Sequence, residues 1–281
     1  MVSSAAPARS DKIVPGRALG ALTALVLLLV TALVLAPPPL ADTGNRGFAD
    51  QNELRQALRD GFVAYWNSGG STRPPALTSV IDYWFRFHVA KGVIAVLLLV
   101  TLVALAALLW KAYLRAGGLS AGQRSALATA GAVISMFAFG ALLVVIANIQ
   151  GAVAPFSSLL PMLPSGANDP QLTTAFDQIR QQLTESTGTT PPVDDMVGDF
   201  ARYHVTVAVI AAILAITALG LTAVSWRRFV RSADTRSRRL RCASGIVTAL
   251  LSLASTVLLA ANTSAAMNST TALSAFFNGS W

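Results

Sequence analysis

Five stretches of the chain consist almost wholly of apolar residues, and polar segments separate them. None contains Asp, Glu, Lys, Arg or His in its interior. A helix of about 20 apolar residues crosses the hydrocarbon layer of a bilayer, and in lipid its backbone must satisfy its own hydrogen bonds. We therefore predict five continuous transmembrane helices. The stretches are 18–36, 92–110, 125–149, 205–226 and 242–261.

The second and fourth stretches begin with the same pattern. RFHV opens at Arg86 and RYHV opens at Arg202, so that His88 aligns with His204. The stretches that follow also end alike, in IANIQ with Asn148 and in LAANT with Asn262. Repetition of this kind is typical of a duplicated structural unit. We predict two tandem parallel hairpin repeats that form a pseudo-twofold four-helix bundle, with the first stretch as one flanking helix.

The repeat also sets the predicted division of the chain. The parts are a cytoplasmic N-terminus (1–17), a transmembrane anchor (18–36), the first repeat (37–150), the second repeat (151–262) and an outer C-terminal tail (263–281). A cleaved signal peptide is the alternative for the first stretch, although its apolar run is longer than the usual core of such a signal. Phe276, Phe277 and Trp281 in the tail are expected to dock onto the outer surface.

The polar segment ahead of each hairpin has its own pattern. Residues 51–59 and 174–183 are amphipathic and are predicted to form short helices that cap the two halves of the bundle. A Pro-Pro turn follows in each segment. Asp82 and Asp199 stand four and three residues before their arginines, so we expect exposed ion pairs on a helix face. Asp194-Asp195 is interpreted as a solvated acidic pair in a loop.

Charge distribution predicts the orientation. The N-terminus and the turns within the two hairpins hold 13 of the 21 basic residues but two of the 13 acidic residues. Because Lys and Arg accumulate on the cytoplasmic side, we expect the N-terminus to be cytoplasmic and the C-terminus extracellular in a multi-pass cell-membrane protein.

Composition agrees with a membrane protein. Charged residues make up 12% of the chain, about half of their share in soluble domains. The net charge of +8 arises beside apolar stretches and predicts contacts with anionic lipid rather than with nucleic acid. Cys242, the single cysteine, is interpreted as a small buried hydrophobic residue. Its Ser/Thr-rich neighbours Ser244, Thr248, Ser252 and Thr256 predict close packing between helices.

One set of residues is the candidate site. It is a layer near the outer interface formed by Arg86, His88, Asn148, Arg202, His204 and Asn262. These side chains can be interfacial anchors and helix caps, or they can bind an anionic lipid headgroup or an acidic partner segment. A third alternative is that His88 and His204 hold a haem, or a metal together with loop carboxylates. Because the Arg stands two residues before the His, the two side chains should point to different partners.

Several motifs resemble a known group. DYWFRFHV, LWKAYLRAGGL, ANIQGAVAPFSSLLPMLP and DFARYHV are similar to segments of uncharacterised actinobacterial multi-pass membrane proteins, from about Asp82 to the end of the chain. The resemblance implies a membrane location and an actinobacterial source, and it carries no activity or functional residues.

The sequence therefore predicts an all-α integral membrane protein without classical catalytic motifs. We expect a non-enzymatic envelope protein that binds a lipid or a membrane-protein partner through the Arg/His/Asn layer and the outer loops. No cofactor is expected on this interpretation. The alternative function is a bis-histidine membrane redox protein that binds haem or a metal.

Overall fold

The computed structural model describes residues 16–42, 47–115, 118–164, 169–185 and 189–279, apart from the side chain of Arg236. Within these ranges the chain forms ten α-helices and one short 3-10 helix, with no β-strand. The prediction of an all-α fold is confirmed. The helices are α1 (Gly16–Leu35), α2 (Pro37–Ala41), α3 (Gln51–Ser68), α4 (Pro75–Arg115), α5 (Ala121–Val153), α6 (Pro155–Leu159), α7 (Pro170–Thr184), α8 (Pro191–Val230), α9 (Thr235–Met267) and α10 (Ser269–Phe277).

Five of these helices are long and apolar enough to cross a membrane: α1, α4, α5, α8 and α9. Each of the last four contains one predicted stretch in full, and α1 covers the first stretch except for Ala36. Length and composition thus support a multi-pass membrane protein.

Helices α4 and α8 are much longer than the predicted spans, with 41 and 40 residues. The predicted Pro-Pro turns are not turns, because both pairs lie where a helix starts. The carbonyl of Pro74 accepts the N–H of Thr78 at 3.0 Å, and α8 has proline in its first turn after the N-cap Thr190. Proline suits this position, since its φ is already helical and its missing N–H would have no partner there.

By its internal contacts the described chain divides into two units, residues up to 33 with 94–143, and 34–93 with 144–279. In the first unit Leu29 of α1 packs with Leu98 and Leu102 of α4 and with Ala138 and Ala141 of α5. The division predicted from the repeat follows a different partition and stays a prediction, as does the pseudo-twofold arrangement of the hairpins.

The second unit contains a short-helix domain, which we define as α2, α3, α6, α7 and α10 with the first turns of α4 and α8. It has one hydrophobic core. Side chains buried there include Leu58, Phe62, Leu77, Phe156, Leu160, Ile179, Met196 and Leu273. The polar segments between the spans therefore fold together around shared apolar side chains.

The two predicted amphipathic helices are present as parts of α3 and α7. Aspartates cap both: Asp50 accepts the N–H groups of Asn52 and Glu53, and Asp169 accepts those of Gln171 and Leu172. The helices pack against each other, since Trp66 Nε1 donates to Gln178 Oε1 at 2.6 Å. They thus share one core, whereas we had expected one helix over each half of a bundle.

Helices α8 and α9 form an antiparallel hairpin with small residues at the interface. Thr222 donates its hydroxyl to Thr248 at 2.8 Å, and Ser252 donates to the carbonyl of Ala215 at 3.1 Å. The hydroxyl oxygen of Ser244 lies 3.5 Å from that of Ser225 on α8. Three of the four predicted stripe residues on α9 therefore face α8, which favours a packing role. Thr256 is exposed and donates to Ser252 of its own helix.

Two smaller expectations concern the ends of α9. Cys242, two turns after the start of α9, is exposed, so the expectation of a buried cysteine is wrong for the isolated chain. Past its end, α10 docks on α7 and α8 through Phe276 and Phe277; the outer position of this surface stays a prediction. Trp281 lies outside the described residues.

Candidate functional site: two histidine–asparagine pairs

The first pair joins α4 to α5. Nδ1 of His88 lies 3.0 Å from Oδ1 of Asn148, and Nδ2 of Asn148 donates to the carbonyl of Val144 at 2.7 Å. Because the amide group of Asn148 is committed as a donor to its own helix, its oxygen faces the histidine. The ring must therefore carry its proton on Nδ1 when neutral, which leaves the lone pair of Nε2 as an acceptor.

The second pair joins α8 to α9 with the same geometry. Nδ1 of His204 lies 2.9 Å from Oδ1 of Asn262, and Nδ2 of Asn262 donates to the carbonyl of Leu258 at 2.9 Å. In both pairs the asparagine uses the carbonyl four residues before it, and the histidine stands near the start of the long apolar stretch. Four of the six predicted site residues thus form two equivalent contacts.

Aromatic rings hold both imidazoles from the preceding turn. The Trp84 ring is perpendicular to that of His88 with centroids 4.8 Å apart, and Phe200 lies 4.7 Å from His204. Each of these rings stands four residues before its histidine, and such spacing places two side chains on one helix face. His204 and Asn148 are buried, with 6% and 4% of their surface exposed. One member of each pair is therefore buried, while its partner, His88 or Asn262, is half-buried.

Helix α5 approaches the ring of His88 through a glycine. A Cβ added to Gly151 would lie 2.5 Å from Nε2 of His88 and 2.6 Å from both neighbouring ring carbons. Nearly equal distances to three ring atoms place that carbon over the face of the imidazole. Glycine is thus required for the close approach, and the lone pair of Nε2, which lies in the ring plane, is not covered by it. Nε2 of His88 is buried and has no hydrogen-bond partner among the described residues.

The two arginines of the layer do not enter the histidine–asparagine pairs. Arg86 donates from Nε to the carbonyl of Ala41 at 2.9 Å, and Arg202 donates from Nη2 to Oδ1 of Asp199 at 2.8 Å. Arginine and histidine thus have separate partners, as expected for positions two residues apart. Within the described ranges Arg86 forms no ion pair with Asp82, so that predicted contact is wrong. The guanidinium of Arg86 donates instead to the carbonyl of Ala41 at the end of α2.

The predicted pair of Asp199 and Arg202 is formed, but the carboxylate is not exposed. Its side chain is 3% exposed, against 60% for that of Arg202. Oδ2 of Asp199 accepts the backbone N–H of Ser157 at 2.7 Å. The break between α5 and α6 turns this N–H toward α8, which a spacing rule within one helix cannot predict.

Sequence reasoning missed a second polar cluster. Arg73 holds Asp195 through two parallel hydrogen bonds of 2.7 Å, and the hydroxyl of Tyr65 donates to Asp195 Oδ2 at 3.0 Å. The Arg73 guanidinium also lies 4.7 Å from the centroid of the Phe156 ring. Asp195 belongs to the first turns of α8, so its interpretation as a solvated loop residue is wrong. The burial of Tyr65 could have been predicted, because it continues the apolar stripe of Leu54, Leu58 and Phe62.

The cluster changes the acidity of its tyrosine. Burial, and then the negative charge of Asp195, raise the pKa of Tyr65 to about 12 from an ordinary value of 10.0. The phenol therefore stays protonated and acts as a donor throughout the physiological range. It links the C-terminal half of α3 to the start of α8.

The short-helix domain has an open cleft of about 440 Å³ between α7 and α10. Its lining is mainly apolar and contains one guanidinium. The lining includes Pro161, Pro164, Phe176, Phe276, Phe277 and Arg180. Arg180 donates from Nε to the carbonyl of Phe277 at 2.8 Å and from Nη1 to Asp177. Such a cleft can accept an apolar group that carries a negative charge near its end.

These features define an integral multi-pass membrane protein with a helical domain built from the segments outside its spans. Comparisons with protein-family models, with curated proteins and with solved structures found no match to this chain.

Proposed function

We propose that this chain is a non-enzymatic cell-envelope protein whose short-helix domain binds a lipid or a segment of a membrane-protein partner. The observation that carries the proposal is the cleft between α7 and α10, whose lining combines aromatic and proline side chains with one arginine. An amphiphile with an anionic group matches this lining, because the apolar part is removed from water and the charge meets a guanidinium.

The Arg/His/Asn layer is adjacent to the domain along α4 and α8. On this proposal the two histidine–asparagine pairs hold α4 against α5 and α8 against α9, and so fix the positions of the helices whose first turns belong to the domain. The side chain of Arg202 is 60% exposed although it is paired with Asp199, and on this proposal it also contacts an anionic headgroup or an acidic partner segment.

The experiment compares two arginines of the short helices. Arg180→Gln removes the guanidinium from the cleft, and Arg55→Gln removes a half-buried arginine from α3 as the control. The full chain, purified with native lipids, is tested by lipid extraction and by photo-crosslinking in membranes. Loss of one charge-assisted contact should weaken binding by about tenfold to a hundredfold. Retention of the same lipid or crosslinked partner by wild type and by Arg180→Gln would refute the proposal.

The same proposal places the domain outside the cell and the turn between α8 and α9 in the cytoplasm, as the charge distribution predicts. Ala233 lies in the turn between α8 and α9 and is exposed, so a cysteine placed there reports on that side directly. In a Cys242→Ser background, a membrane-impermeant maleimide should label Ser71→Cys on intact cells and should label Ala233→Cys only after the membrane is permeabilised. The reverse pattern would invert the topology.

A bis-histidine haem protein remains the second candidate, and one observation favours it. The lone pair of His88 Nε2 is buried and unused among the described residues, and imidazole Nε2 is a common haem ligand. Purified protein with a stoichiometric Soret band that disappears in His88→Ala would establish this function. Protein without the band after expression with added haem would eliminate it.

A further inference from the structure

The turn between α8 and α9 concentrates positive charge. Residues 227–241 contain seven arginines and one carboxylate, Asp234, so the segment has a net charge of 7 − 1 = +6. One carboxylate can neutralise one guanidinium. Like charges this close repel each other and destabilise the compact state unless a counter-charge is supplied from outside.

Aromatic side chains place this charge at the end of an apolar stretch. Trp226 is 64% exposed, and its ring stacks on Phe229 with centroids 5.5 Å apart. The guanidinium of Arg238, from α9, lies 4.8 Å from the centroid of Phe229 on α8. Trp at the end of a membrane-spanning stretch is typical of the headgroup level. The column from Trp226 to Arg238 therefore places the arginines at the lipid phosphates.

One arginine of the turn, Arg241, links the two helix ends. Arg241 donates from Nη1 to the carbonyl of Arg228 at 2.7 Å, and it also contacts the hydroxyl of Ser232. The bond closes the last turn of α8 onto the start of α9. It fixes the relative position of the two helix ends and thus of the remaining guanidinium groups.

Five further arginines are exposed: Arg227, Arg228 and Arg231 at the end of α8, and Arg238 and Arg239 in the first turns of α9. A guanidinium binds a phosphate through two parallel hydrogen bonds. Arginines on two adjacent helix ends can therefore engage two phosphates at once. The neighbouring helix faces are apolar and open, with Val230 67% exposed and Val247 63% exposed, and suit the acyl chains of a lipid.

We propose that the turn between α8 and α9 is a specific binding site for an anionic phospholipid that carries two phosphodiester groups, of the cardiolipin kind. The site lies at the opposite end of α8 from the short-helix domain and does not depend on the function proposed for the cleft. It uses the exposed arginines for the phosphates and Trp226 for the level of the headgroup.

The turn between α4 and α5 provides a matched control, because it holds three basic residues, Lys111, Arg115 and Arg124. One variant combines Arg227→Gln, Arg228→Gln and Arg231→Gln; the control combines Lys111→Gln, Arg115→Gln and Arg124→Gln. Both lose three positive charges. Binding of cardiolipin and of phosphatidylglycerol to the full chain is measured in detergent by native mass spectrometry, and helix content and melting are followed by circular dichroism.

Wild type should prefer cardiolipin to phosphatidylglycerol. Three lost arginines should weaken cardiolipin binding by about a hundredfold, while the control triple should bind like wild type. Arg238→Gln with Arg239→Gln gives a second variant on α9 and should also lose affinity, in case the first triple does not fold. Equal losses in both triples would overturn the proposal in favour of a diffuse charge effect. Equal affinity for the two lipids, or displacement of cardiolipin by pyrophosphate or by an oligonucleotide, would also overturn it.

Discussion

Arg73 and Asp195 are 122 residues apart in sequence and form a bidentate ion pair with both bonds at 2.7 Å. The pair ties the segment after α3 to the start of α8. It is about three-quarters buried, with exposed side-chain fractions of 24% and 26%, so solvent screens it less than a surface pair.

Asp195→Asn should destabilise the short-helix domain by about 1–3 kcal/mol, because Arg73 loses its counter-charge and the amide offers one acceptor oxygen to donors that the carboxylate met with two. Asp194→Asn is the matched control: it removes the same charge one residue earlier, from an exposed position whose partner is Thr189. The melting temperature in detergent measures both. Equal melting temperatures would show that the buried pair adds nothing to stability.

The raised pKa of Tyr65 predicts a loss of folding stability at high pH. Its folded-state pKa of about 12 lies above the ordinary value of 10.0. Because the folded state favours the protonated phenol, its contribution is fully present below pH 10 and is lost as the pH rises through 12. Unfolding by denaturant across this interval should show the loss in wild type and a smaller loss in Tyr65→Phe. The difference between the phenolate titrations of wild type and Tyr65→Phe isolates Tyr65. A midpoint of this difference at the ordinary value for tyrosine would contradict the raised pKa.

Gly151→Ala should destabilise the contact of α4 with α5, since the new methyl group would lie 2.5 Å from Nε2 of His88. Overpacking of this kind costs about 1–3 kcal/mol. His88→Ala in the same chain should remove most of that cost, so a double-mutant cycle should show strong coupling. Gly140→Ala is the control on α5, because its added Cβ meets nothing within 4 Å among the described residues. Independent effects of Gly151→Ala and His88→Ala would refute the close contact.

The histidines of the layer should matter more for folding than its arginines. His88→Ala with His204→Ala leaves the amide oxygens of Asn148 and Asn262 without their imidazole donors. Arg86→Ala with Arg202→Ala removes one carbonyl contact and the exposed partner of the Asp199 carboxylate, which keeps the N–H of Ser157. Loss of a buried hydrogen-bond partner costs about 1–3 kcal/mol per pair. Melting of both double variants in detergent tests the order. A lower melting temperature for the arginine variant would reverse it.

Much of the membrane-spanning part could be predicted, because the constraint is local. A helix in lipid must be apolar along its whole length, and all five stretches fall within helices that meet the requirement, apart from Ala36. The contacts of His88 and His204 with asparagine could also be anticipated, since the duplicated pattern placed a polar residue at the end of each returning stretch.

Contacts between the polar segments could not be predicted in the same way. The contacts of Asp195 with Arg73 and of Asp199 with the N–H of Ser157 depend on the packing of α3, α6 and α8 around one core. A spacing rule covers neighbours on one helix, and these partners come from other elements. The prediction of turns at the Pro-Pro pairs is wrong because proline is common both in turns and in the first turn of a helix.

The 40 residues of α8 form one uninterrupted rod of about 60 Å, since each residue adds about 1.5 Å. Its first turns lie in the core of the short-helix domain at Val193 and Met196, and its last turn carries Arg227 and Arg228. A tilt of roughly 5° about the midpoint moves each tip by about 2.5 Å. Occupants of the two tips that prefer different tilts of α8 would therefore be coupled, and each would change the free energy of binding of the other by the same amount.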